Sequence, residues 1–155
     1  MTIRDQLAGH ARERVAASKS SVPLEELRLQ ALSLLKGDFG FEKALRKDGL
    51  SFICECKRAS PSKGLIAPEF PYLQIALDYE AAEAEAISVL TEPKWFLGSD
   101  RYLREIRQAV ATPLLRKDFT IDAYMVVQAR TLGADAILLI AAILSDSQLE
   151  EYRLM

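Results

Sequence analysis

Cysteine is nearly absent from the chain, with two residues, Cys54 and Cys56, among 155. So few thiols exclude a disulfide-stapled secreted scaffold and fit a reduced cytoplasmic setting. Histidine is scarcer still. The single His10 lies far from both cysteines in sequence, and two thiols on one strand fall short of a ligand set, so no metal is expected. Long hydrophobic runs are also missing. The longest, Ala136 to Leu144, is nine residues, well short of a bilayer-crossing helix. The charged N-terminus MTIRDQLAGHARERVAASKS has no apolar core of signal-peptide length. No charge sign dominates: 20 Lys plus Arg stand against 22 Asp plus Glu, a net charge of −2. That balance gives no basic surface for nucleic acid and no polybasic patch for a membrane. Neither GxGxxG nor GxxxxGK[ST] occurs, which removes the glycine-rich signatures of dinucleotide and P-loop sites.

What is present is bulk and pattern. Half of the residues are apolar, enough for one ordinary globular domain. Residues 1–50 read as a helical extension. Thr2 with Asp5 makes a capping-box pattern, and Ile3, Leu7, Ala11 and Val15 fall on one face. Pro23 suits a first helical turn, followed by Leu24, Leu27, Ala31, Leu34 and Leu35 at helical spacing with Gly37 as a stop. Phe41 to Leu45 adds a further turn. Nothing in this extension carries chemistry on its face, and His10 reads as a surface side chain.

Over residues 51–155 the rhythm changes to short apolar runs alternating with amphipathic helices. The runs are FICECK (52–57), AISVLT (86–91), LLRKDF (114–119) and AILLI (136–140). Between them Tyr72, Ile75, Ala76 and Tyr79 share a helical face, as do Leu103, Ile106 and Val110, and then Met125, Ala129 and Leu132, closed by Gly133. Ser145, with Gln148 three residues on, opens a last helix. Such alternation indicates βα units on a parallel sheet. Four units form either an open doubly wound sheet or half of an eight-stranded barrel. A doubly wound nucleotide fold places a phosphate loop after its first strand, where this chain has RASPSKG. The barrel also accounts for charges within strands. The expected fold class is therefore α/β, the first half of a (β/α)8 TIM barrel behind a helical extension.

Strand period places Ile53, Glu55 and Lys57 on one face and Phe52, Cys54 and Cys56 on the other. The apolar and thiol face packs on helices; the charged face points into the barrel mouth. In the third strand Leu115 and Lys117 share a face, with Lys117 at the C-terminal end, where barrel active sites lie. Two lysines and a glutamate then converge on one cavity, which is costly unless the charges are paired or used. A second ammonium in a partly desolvated cavity disfavours the charged form of the first, whereas the glutamate opposes that shift.

ECKRASPSKG (55–64), ISVLTEPKWFLGS (87–99), LLRKDF (114–119) and GADAILLI (133–140) together resemble the N-terminal part of the indole-3-glycerol phosphate synthase family. The resemblance covers nearly the whole chain, helical extension included. It implies a cofactor-free carbon–carbon lyase of tryptophan biosynthesis acting on a small phosphorylated substrate. That reaction converts 1-(2-carboxyphenylamino)-1-deoxyribulose 5-phosphate to indole-3-glycerol phosphate. By the resemblance Lys117 is the general acid at the ketone oxygen, Lys57 binds the anthranilate carboxylate, and Glu55 holds the lysine and shapes proton traffic. Ser60 and Pro61 line the mouth, and Phe96, Phe119, Leu138 and Ile140 enclose the aromatic ring. Complete members continue with further βα units that carry a catalytic glutamate, an asparagine and the phosphate-binding backbone groups. The chain is accordingly expected to be a fragment, inactive or nearly so alone.

Plainer readings of the same residues stand beside these. Glu55 with Lys57 is also a structural ion pair, Lys117 with Asp118 the polar end of a strand, RASPSKG a solvated turn, and Trp95 and Phe96 packing residues. At the level of function the alternatives are a non-catalytic half-barrel interaction module and a related phosphosugar-binding barrel with another reaction. Half a barrel bares its edge strands and its inward face, with Ile53, Val89 and Leu115 on it. It is therefore expected to self-associate or to pair with a complementary half-barrel.

Overall fold

The computed structural model describes residues 2–155. Three helices come first, α1 (Ile3–Ser21), α2 (Leu24–Ser33) and α3 (Gly40–Leu45). α1 starts at a closed capping box: the Thr2 hydroxyl accepts from the Asp5 N–H at 3.3 Å, and the Thr2 N–H donates to the Asp5 carboxylate at 2.7 Å. The helix buries Leu7, Ala8, Ala11 and Val15 and leaves Ile3 exposed. α2 departs from expectation. Pro23 caps the helix from outside its first turn, and the helix ends at Ser33, so Leu34 and Leu35 lie exposed beyond it and Gly37 is not its stop. Only Leu27 of α2 is buried, which leaves a further turn without the packing that holds short helices together.

The remaining elements are β1 (Ile53–Cys56), the short hairpin β2 (Ala59–Ser60) and β3 (Gly64–Leu65), α4 (Tyr72–Ala81), β4 (Ala86–Leu90), α5 (Asp100–Ala109), β5 (Leu114–Lys117), α6 (Ala123–Thr131), β6 (Ala136–Ile137) and α7 (Asp146–Leu154). The main sheet runs β1-β4-β5-β6 with every pair parallel. Each strand lies beside the next main strand in sequence and each is followed by a helix, the arrangement of the first half of a (β/α)8 barrel. β6 is shorter than the expected 136–140. Its ladder pairs Leu115 with Ala136 and Arg116 with Ile137, and β5 ends one residue later, so Leu138 to Ile140 have no strand to continue against.

Register decides which side chains face which way. Glu55 pairs with Ser88, Cys56 with Val89 and Leu90 with Lys117. Val89 therefore joins Cys56, Ile87, Leu103 and Ile106 in the core under the helices, and the expectation that it lies on the inward face is overturned. The inward face carries Ile53, which is 46% exposed, and Leu115, which is half-buried. Gly133 ends α6 at φ 90°, a left-handed conformation that turns the chain back toward β6.

Ile106, fully buried between α5 and the sheet, reports on this core. Ile106→Ala is expected to lower unfolding free energy by about 2–5 kcal/mol, measured by urea denaturation.

Candidate active site

β4 lies between β1 and β5 and brings their C-terminal ends into one cleft. Glu55 is the centre of it. Its Oε1 lies 2.9 Å from Lys57 Nζ, its Oε2 lies 3.6 Å from Lys117 Nζ, and the Ser88 hydroxyl donates to Oε2 at 3.2 Å. All three charged side chains are half-buried. Burial pushes the Glu55 carboxyl up, but the hydrogen bond from Lys57, the charges of Lys117 and Lys57 and the Ser88 hydroxyl outweigh it, leaving the group below the usual carboxylate range. One carboxylate between two ammonium groups leaves the cleft with a surplus positive charge. Such a site suits an anionic ligand and offers N–H donors where negative charge develops.

The loops beyond β4 and β5 supply aromatic rings. Phe96 and Phe119 approach with centroids 6.2 Å apart and planes tilted by 39°. The other expected residues are placed differently. Ser60 is buried in β2, where its hydroxyl accepts from the Lys63 N–H at 3.2 Å, and Pro61 is exposed at the hairpin turn. Leu138 and Ile140 are half-buried just past β6. The cleft is open. The cavities of about 270 Å³ and about 790 Å³ lie elsewhere, one between α1 and α6, the other between α6 and the segment after α2.

Behind the cleft lies a buried charged network that sequence reasoning did not find. Arg116, 2% exposed, donates to Asp100, Gln128, Thr91 and the Met125 carbonyl. Asp118, with no exposed side-chain surface, takes a two-pronged contact from Arg14 of α1 at 2.7 and 3.1 Å and a hydrogen bond from the Thr91 hydroxyl at 2.6 Å. Burial pushes the Asp118 carboxyl up, yet the Arg14 hydrogen bonds and charge, with Arg116 and Thr91, hold it below its ordinary value.

Glu92 is equally enclosed. Its carboxylate accepts the N–H groups of Lys94, Trp95 and Phe96 at 2.8 to 3.0 Å and so shapes the loop that carries Phe96. Gly98 closes that loop against the Leu90 carbonyl, where a Cβ would sit 2.3 Å from the oxygen. His10 is not a surface residue. Its Nδ1 lies 3.2 Å from Glu92, and its ring meets Trp95 edge-on at 5.5 Å. One signal was legible for this network: if Leu115 and Lys117 face inward, Arg116 and Asp118 face the helices, where charges need partners.

Fold and site together define a chain of the (β/α)8 barrel class, with a cationic cleft at the C-terminal ends of its strands. A family model described as indole-3-glycerol phosphate synthase matches residues 4–154. The chain belongs to the indole-3-glycerol phosphate synthase family. It is 52% identical over 151 residues to the indole-3-glycerol phosphate synthase of Ruminiclostridium cellulolyticum, covering 97% of this chain and 58% of that protein. The synthase of Endomicrobium trichonymphae is 50% identical over 151 residues, with the same two coverages. That of Lactiplantibacillus plantarum is 50% identical over 153 residues, covering 97% of this chain and 57% of that protein. The chain thus spans a little over half the length of the curated relatives it matches.

The Asp118 network fixes a pH dependence. Because the folded pKa lies below the reference 3.8, the ionised form stabilises the fold above that value, and the contribution is lost as pH falls through the folded pKa. Asp118→Asn is expected to be less stable at pH 7 by about 3 kcal/mol. The gap to the unsubstituted chain narrows below about pH 4, as followed by denaturant melts across pH.

Proposed function

We propose that this chain supplies the lysine-bearing part of an indole-3-glycerol phosphate synthase active site, in a carboxy-lyase of tryptophan biosynthesis. The supporting observation is the meeting of Lys57 and Lys117 on Glu55 at the C-terminal ends of β1 and β5. On this reading the substrate is 1-(2-carboxyphenylamino)-1-deoxyribulose 5-phosphate. Its carboxyl-bearing ring carbon attacks the ketone carbon, and negative charge builds on the ketone oxygen. Lys117 donates the proton there, so its ammonium favours the transition state over the ground state. Lys57 holds the anthranilate carboxylate, which leaves as carbon dioxide as the ring regains aromaticity; loss of water completes the indole. Glu55 keeps both ammonium groups in place. Phe96, Phe119, Leu138 and Ile140 enclose the aromatic ring, and Ser60 and Pro61 border the mouth. The reading names no cofactor and places the protein in the cytoplasm.

The reading divides the chain into an extension over 1–50 and four βα units over 51–155. Phosphate binding falls to the length that the curated relatives have beyond their match to this chain. Self-association, or pairing with a complementary half-barrel, is the second part of the reading. What supports it is the exposed Ile53 on the inward face and the outer positions of β1 and β6 in the sheet.

Mixing the chain with the C-terminal part of a family relative is expected to give turnover, followed as loss of the substrate's anthranilate fluorescence. Lys117→Met in that assembly is expected to abolish cyclisation without loss of complex; turnover within tenfold of the unsubstituted pair removes Lys117 from its role. For the chain alone, light scattering at micromolar concentration is expected to show more than a monomer, and a clean monomer removes self-association.

A further inference from the structure

The extension that showed no chemistry in the sequence reaches the ends of two strands from one helix face. His10 meets Glu92 beyond β4, and Arg14, one turn later, meets Asp118 beyond β5. The second contact is the more directional. Arg14 Nη2 donates to Asp118 Oδ1 and Nη1 to Oδ2, a fork that sets orientation as well as distance. Oδ1 also accepts the Phe119 N–H at 2.8 Å, and Oδ2 the Thr91 hydroxyl, so each oxygen carries two donors. The Thr91 N–H donates to the Lys117 carbonyl at 3.1 Å. The backbone that follows the Lys117 side chain, from its own carbonyl to the Phe119 N–H, is thereby tied into the buried network. Its ammonium points the other way, to Glu55.

We propose that Arg14 is a positioning residue for Lys117: by holding Asp118 from α1 it sets the angle at which β5 ends and keeps the Lys117 ammonium against Glu55. The proposal rests on the reading that Lys117 works in this cleft and concerns how it is held there. Among the described residues no other cation takes over Arg14's part. Arg116 lies 3.8 Å from the Asp118 carboxylate and is committed to Asp100, Gln128, Thr91 and the Met125 carbonyl. Without Arg14, an enclosed carboxylate loses its two-pronged partner and must protonate or swing. Either change frees the strand end. The other ion pair from α1 to the same region, Lys19 with Asp122 at 2.8 Å, is solvent-exposed and lies past the strand end. It fastens α1 without touching Asp118 and so serves as an internal control.

The test is a carboxyl-carbon NMR titration of Glu55 in the full 155-residue chain, comparing Arg14→Met, Lys19→Met and the unsubstituted protein. Glu55 faces Lys57, Lys117 and the Ser88 hydroxyl. Loss of Lys117 from that set raises the Glu55 midpoint by roughly one pH unit. That rise is expected in Arg14→Met, and none in Lys19→Met. A folded Arg14→Met, with an unchanged circular-dichroism spectrum and a Glu55 midpoint at the unsubstituted position, overturns the proposal. So does an equal rise in Lys19→Met, which traces the effect to general loosening of α1. If Arg14→Met does not fold, Arg14→Lys keeps the charge without the fork and is expected to raise the midpoint by a smaller amount; no rise there overturns the proposal equally. No substrate enters the titration. A failed Lys117→Met turnover test therefore removes the chemistry and leaves this result standing, and the reverse holds too.

Discussion

The parallel register of three strands is the constraint on which the site depends. β4 pairs Ser88 with Glu55 on one side and Leu90 with Lys117 on the other. Because side chains alternate along a strand, that register alone puts Glu55, Ser88 and Lys117 on the same side of the sheet. A slip of one residue between β4 and β5 would send Lys117 among the helices and bring Arg116 or Asp118 into the cleft, and a slip between β1 and β4 would turn Glu55 away from Ser88. The buried network resists such a slip, since Arg116 and Asp118 find all their partners only on the helical side.

Charge is handled differently on the two faces. Glu55, Lys57 and Lys117 stay half-buried and in reach of water, so their ion pairs leave the ammonium groups free to meet a ligand. Asp118 and Glu92 have no exposed side-chain surface, and each spends its lone pairs on several donors. A buried carboxylate with its bonds satisfied makes a rigid joint, because moving it exposes an unpaired charge to a poorly polarisable interior. Both joints lie immediately after strands, at Glu92 and Asp118. The loops they shape carry Phe96 and Phe119, whose rings meet.

Membership in the indole-3-glycerol phosphate synthase family gives a context to the open inward face. On that face Ile53 is 46% exposed and Glu55, Lys57, Leu115 and Lys117 are half-buried, while Ala86, Ser88 and Leu90 of the central strand are enclosed. The helical side is finished by comparison, with Ile87, Leu103, Ile106 and Leu114 fully enclosed. The apolar packing thus lies on the outer layer, and the half-buried charges of Glu55, Lys57 and Lys117 lie on the inner one.

Much of the local structure was legible from residues alone. Thr2 with Asp5 and Ser145 with Gln148 close the capping boxes their spacing suggests, and the four apolar runs become the four main strands. Strand alternation was enough to pair Glu55 with Lys57. Where reading failed, the missing information was a partner distant in sequence. Nothing near Val89 says which of its faces is covered, nothing near Leu34 says that Leu27 alone of α2 is buried, and His10 looks like a surface residue until Glu92 arrives from 82 positions away. The caps, the periodicities and the alternating βα order could be read from residues alone, because each depends on neighbours a few positions apart. That α1 reaches the ends of β4 and β5, and that Glu55 sits between two lysines, follows from packing in three dimensions. Those contacts exist because the sheet register brings together charges that the chain keeps far apart.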